Sequence, residues 1–169
     1  LELFAAAIDH RTALVATSHV FFTSGAIQDV SAIGALCRAN GALLLVDGYQ
    51  AVGQVPADLA ALGADFYCAG GLKWLLGGSG IAFLAVRPEL AAGLEPAVTG
   101  WFSHATPFRF DPRRLERAAD AHRLDMGTPS VASVYAQLEG LAILEERGLP
   151  AVGAATRALT EDLIAAAME

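Results

Sequence analysis

Lys73 is the one lysine among the eleven basic residues of the chain, and it stands in the apolar run Gly71-Leu72-Lys73-Trp74-Leu75-Leu76. An ammonium group is costly to desolvate in such a setting. An amine in apolar surroundings is pushed toward its neutral form, and a neutral amine attacks an aldehyde to form a Schiff base. Asp47, 26 residues earlier, closes the run Ala42-Leu43-Leu44-Leu45-Val46. A carboxylate facing a heteroaromatic nitrogen keeps that nitrogen protonated and turns the ring into an electron sink. Each residue alone has a plainer reading. A lone lysine at a strand end snorkels into solvent, and a lone aspartate caps a helix or shapes a turn.

The elements that must position these two residues are read from periodicity. Residues 12–18, Thr-Ala-Leu-Val-Ala-Thr-Ser, form a strand candidate. Asp29 caps a helix whose apolar face carries Val30, Ile33, Ala35, Leu36 and Cys37, and Gly41 stops it. Residues 42–47 read as a strand buried on both faces of a parallel sheet. A short helix is expected over 56–64, a strand over 65–70, and another over 80–86 after the turn Gly77-Gly78-Ser79-Gly80. From residue 127 onward the pattern is helical, with Gly148 as a stop signal. Strands alternating with helices imply an α/β layered sheet, whose ligands bind at the carboxyl ends of the strands. If the strands over 42–47 and 65–70 are near neighbours, Asp47 and Lys73 converge on one crevice.

Composition excludes several alternatives. The chain is 54% hydrophobic and 17% charged, enough for a buried core and too apolar for intrinsic disorder. Its net charge of −7 argues against nucleic-acid binding. Arg109, Arg113, Arg114, Arg117 and Arg123 alternate with Asp111, Glu116, Asp120 and Asp125 and read as a solvated mixed-charge face. No apolar run approaches the roughly 20 residues of a membrane span. Cys37 and Cys68 lack metal-ligand spacing and read as buried thiols of a reducing compartment, so a cytoplasmic location is expected and no metal site. The turn at Gly77–Gly80 lacks the Lys-Ser/Thr pair of a P-loop. The opening residues, Leu1 to Thr12, read as the end of a helix and the last twenty as a helix without a stop, the pattern of an excerpt from a longer polypeptide.

Five segments in order carry a family resemblance: Ser18-His19-Val20, Asp47-Gly48-Tyr49-Gln50, Lys73-Trp74-Leu75, Gly100-Trp101 and Gly127-Thr128-Pro129. Together they resemble the class V group of fold-type-I pyridoxal-phosphate enzymes, which includes cysteine desulfurases, kynureninases and aminotransferases. The resemblance implies an αβα three-layer fold with a mostly parallel sheet. Residues 1–130 would form the latter part of the large cofactor domain, and residues 131–169 helices leading toward a small domain outside this chain. It further implies that Lys73 carries pyridoxal 5'-phosphate as a Schiff base, that Asp47 pairs with the pyridine nitrogen, and that Gln50 hydrogen-bonds the phenolic oxygen. Trp101 and Thr128 match positions that reach the cofactor phosphate from a neighbouring subunit, so a homodimer with its active site at the interface is expected. The implied function is that of a cytoplasmic enzyme acting on an amino-acid substrate, an aminotransferase or a kynureninase-like lyase or hydrolase.

Departures from the pattern bear on that reading. Many members place Ser and His three and one residues before the lysine to bind phosphate, whereas this chain has Gly70-Gly71-Leu72. Phe22 stands where desulfurases have asparagine, and neither cysteine lies late enough to act as a mobile desulfurase thiol. Gln50 replaces a histidine common in kynureninases, and Leu72 the tyrosine before their lysine. His19 either meets the cofactor or bonds to backbone; His104, in the Gly-Trp loop, is a candidate on the substrate side; His10 and His122 read as surface residues. The alternative function is a non-catalytic relative serving as a dimerisation or binding scaffold. A nucleotide-binding domain is disfavoured because no Gly-x-Gly-x-x-Gly follows a strand.

Overall fold

Asp29 begins the first long helix by accepting the Ala32 amide on Oδ1 at 2.9 Å, the side-chain cap that the free N–H groups of a helix start require. The computed structural model describes residues 1–168. Helix α1 (Glu2–Ala7) leads to strand β1 (Leu14–Ser18), and the Asp29-capped helix α2 (Val30–Ala39) to β2 (Leu43–Asp47). A single turn, α3 (Leu59–Leu62), precedes β3 (Phe66–Gly70) and β4 (Ala82–Val86). After α4 (Pro88–Ala91) come three short 3-10 turns, at Trp101–Ser103, Pro107–Arg109 and Ala121–Leu124, and then α5 (Val131–Arg147) and α6 (Leu149–Met168).

The four strands lie in sequence order, with β1 parallel to β2, β2 parallel to β3, and β3 antiparallel to β4. The antiparallel step follows from chain length. Only residues 71–81 join β3 to β4, too few for the crossover of a dozen or more residues that a parallel return needs. The molecule is therefore mixed α/β with a mostly parallel sheet. Val30, Ile33 and Cys37 of α2 pack with Ile8 on Leu44, Val46 and Tyr67, all at most 8% exposed, and form the core on one sheet face. Gly34 completes that helix face; Ala35, expected there, is exposed.

Asp65 ties three strands together. Its Oδ2 accepts the Leu44 amide at 2.7 Å, its Oδ1 pairs with Arg87 at 3.0 Å, and it is 6% exposed. A buried carboxylate without such partners would cost several kcal/mol. The helix expected over 56–64 is cut to one turn by Asp58, which caps it, and Gly63, which leaves it at φ +64°. Gly148, at φ +78°, separates α5 from α6 as expected. Not all of the arginine cluster is solvated: Arg123 donates to the Ala118 and Leu94 carbonyls at 2.9 Å each. Cys37 is buried, whereas Cys68 is half-buried; both are free thiols. No described helix is long and apolar enough to cross a membrane.

Candidate active site

The carboxyl edge of the sheet is level across three strands, because Ser18 is in register with Asp47 and Asp47 with Cys68. Parallel pairing of β2 and β3 thus brings Asp47 and the segment after Gly70 to the same edge. The Asp47 carbonyl accepts the His19 amide at 2.8 Å, and the Gly48 amide donates to the Cys68 carbonyl at 2.7 Å. Asp47 Oδ1 accepts the Tyr49 amide at 2.9 Å, an Asx-type bond that fixes the carboxylate and turns the chain off the strand. Gly48 admits no side chain, since a Cβ there would meet the Tyr67 ring at 2.0 Å.

Lys73 lies in the loop that returns β3 to β4. The loop is closed by Gly71 N–H to the Ile81 carbonyl at 3.0 Å and Gly77 N–H to the Gly71 carbonyl at 2.8 Å. Helix α5 supports it from below: Gln137 Nε2 donates to the Leu75 carbonyl at 3.0 Å and the side chain is 3% exposed. Gly71 and Gly77 leave room for this glutamine, whose Oε1 lies 1.9 Å and 2.0 Å from where their Cβ atoms would be. Gln137 was not singled out from sequence; a polar residue on the packed face of a helix was its only signal. Lys73 is half-buried rather than sealed in apolar surroundings, with Nζ 5.6 Å from the centroid of the Phe22 ring. That is cation–π range.

Gln50 joins the two segments. Its Oε1 accepts the indole N–H of Trp74 at 3.2 Å. A cavity of about 650 Å³ opens beside this contact, lined by Phe21, Phe22, Ile27, Gln50 and Trp74, with Arg157 of α6 at its wall.

His19 is 4% exposed, and its Nδ1 lies 2.9 Å from the Tyr67 hydroxyl, itself 5% exposed. Its Nδ1 is therefore taken by a side chain rather than by backbone. Burial holds the His19 imidazole below its usual range. Burial first, and then the charges of Asp47 and Cys68, leave the Tyr67 phenol pushed up to about 12. Periodicity gives no sign of this pair, because its members are 48 residues apart.

Trp101 and Thr128 form a second group. Gly100 packs directly on the Met126 backbone, which sets the two segments side by side, and Trp101 stacks at 5.7 Å on Phe110 beside Phe102 and Phe108. Thr128 is exposed. His104 accepts the Thr106 amide on Nδ1 at 2.9 Å, and His10 and His122 are exposed, the latter paired with Asp125 at 2.8 Å.

The first group suits the ring of a pyridine aldehyde. Lys73 offers an amine, Asp47 a carboxylate with one oxygen held by Tyr49, and Gln50 an amide whose Nε2 stays free to donate because Trp74 takes its oxygen. The approach to Lys73 offers less to a phosphate. The Gly71 amide is committed to Ile81, Leu72 is exposed, and the Tyr49 ring fills the place of a side chain at Gly70, 2.0 Å from where its Cβ would be. A side chain at position 70 would have to displace that ring.

Comparison with known proteins shows the family. Residues 1–168 match the family described as "Aminotransferase class-V". The sequence is 35% identical to the uncharacterized aminotransferase YcbU of Bacillus subtilis over 169 residues, all of this chain and 44% of that protein. It is 33% identical to the kynureninase of Pseudomonas fluorescens over 92% of this chain and 37% of that protein. The fold is similar to that of the cysteine desulfurase CsdA from Escherichia coli, with a TM-score of 0.82 and 26% identity over 97% of this chain and 41% of that one. This chain thus spans less than half the length of the relatives it matches. The family match over residues 1–168 shows that the chain belongs to the class-V aminotransferase family.

Proposed function

We propose that the chain is the lysine-bearing part of a pyridoxal-phosphate enzyme of the cytoplasm that acts on an amino-acid substrate as a homodimer. The observation that carries the reading is the meeting of Asp47, Gln50 and Lys73 at one sheet edge, with Gln50 tied to Trp74, the residue after Lys73. Membership of a family whose relatives include a kynureninase supports it. Residues 1–130 belong to the cofactor domain in this reading, and α5 and α6 lead toward a small domain.

Pyridoxal phosphate, when bound, supplies an electron sink conjugated to the substrate's α-carbon. The chain's own residues do the rest. Lys73 Nζ would hold the cofactor and, once released from it, would take and return the substrate's α-proton. Asp47 keeps the pyridine nitrogen protonated through its free carboxylate oxygen. Gln50 Nε2 donates to the phenolic oxygen. Trp101 and Thr128, apart from the Lys73 group, reach the phosphate of the partner subunit. The cavity between Phe22 and Trp74 would receive the substrate side chain.

The sequence Gly70-Gly71-Leu72, with Tyr49 filling the place of the missing serine, favours a second reading: a non-catalytic relative that serves as a scaffold. Absorbance of the full-length protein loaded with pyridoxal phosphate separates the two. The enzyme reading expects a visible band that is lost in Lys73→Ala; absence of the band from the wild type leaves the scaffold.

A further inference from the structure

We propose that Trp74 is a positioning residue that fixes which end of the Gln50 amide faces the cofactor. An indole nitrogen only donates, and a glutamine amide donates at one end and accepts at the other. The 3.2 Å contact from Trp74 Nε1 therefore requires Oε1 on its side and leaves Nε2, a donor, as the end free for another partner. Without it the amide is free to present its oxygen, which repels a phenolic oxygen. The indole is 42% exposed, so core burial does not explain a tryptophan at this position. A second contact holds it in register. Gly53, at φ +96°, lies so close to the Trp74 carbonyl that a Cβ would meet its oxygen at 2.6 Å. Trp74 thus clamps the turn carrying Asp47 and Gln50 to the loop carrying Lys73, by side chain and by backbone.

The inference rests on the proposed cofactor, and its test separates the two claims. Full-length protein freed of cofactor is titrated calorimetrically with pyridoxal phosphate and with its 3-deoxy analogue, which lacks the phenolic oxygen. In Trp74→Phe, pyridoxal phosphate should bind about five- to tenfold more weakly, the loss of one hydrogen bond. The 3-deoxy analogue should bind that variant as it binds the wild type. Gln50→Leu should show the same pattern, and the double variant should lose little more, as expected for residues acting through one contact. Equal weakening of both ligands, which a merely structural role produces, overturns the inference, and so does no weakening of either. If the wild type binds neither ligand, the proposed function falls and this inference with it.

Discussion

Tyr67→Phe tests the buried pair beneath the Asp47 turn. The substitution keeps the ring that packs against Gly48 and removes the hydroxyl 2.9 Å from His19 Nδ1. With both residues at most 5% exposed, the imidazole nitrogen has no solvent to turn to, and an orphaned buried polar group costs about 1–3 kcal/mol. The pH dependence makes the prediction specific. The Tyr67 phenol is pushed from 10 up to about 12, so the folded chain holds this proton more tightly than the unfolded chain does. The stability it lends is whole below pH 10 and is lost as pH rises toward 12. At ~1.4 kcal/mol per pH unit across that window, the loss reaches ~2–3 kcal/mol. Urea unfolding of full-length wild type and Tyr67→Phe should therefore show a gap of about 1–3 kcal/mol at pH 8 that narrows steadily above pH 10. A gap that stays constant from pH 8 to 11 would refute the assignment of Tyr67 as a buried neutral phenol.

Asp47→Asn keeps an oxygen to accept the Tyr49 amide but removes the charge, so it should melt like the wild type and lose turnover by about 100-fold or more. Asp47→Ala should lose both turnover and about 1 kcal/mol of stability; full activity in the asparagine variant would rule out a role for the charge. Gly70→Ser should not supply the missing phosphate donor. Its Cβ meets the Tyr49 ring, and overpacking of that kind costs about 1–3 kcal/mol. Thermal melts should show the loss, and Tyr49→Ala in the same chain should recover it; a stable Gly70→Ser with an unchanged Tyr49 would contradict the packing described.

Regular elements were legible where a local signal sets them. Asp29 and Gly41 bracket α2, Gly148 breaks the last helices, and the apolar runs at 43–47 and 66–70 are strands. The direction of β4 was not legible from its residues, since hydrophobicity is the same in either sense; the length of the preceding loop decides it. Asp47 and Lys73 were legible as chemistry, and the parallel pairing of β2 with β3 meets the condition on which their convergence depended. What escaped notice depends on contacts between distant residues: His19 with Tyr67, Gln137 under the lysine loop, Trp74 on Gln50. The segment from 95 to 130 has no period to read, being three single turns around an aromatic cluster.

The account stands or falls on Lys73 as the residue that carries the cofactor. Full-length protein loaded with pyridoxal phosphate is reduced with borohydride, digested, and its peptides mapped by mass. The label is predicted on the peptide containing Gly71-Leu72-Lys73-Trp74, and it should disappear in Lys73→Ala. A stoichiometric label on a different lysine, or none in a protein that binds the cofactor, would contradict the account.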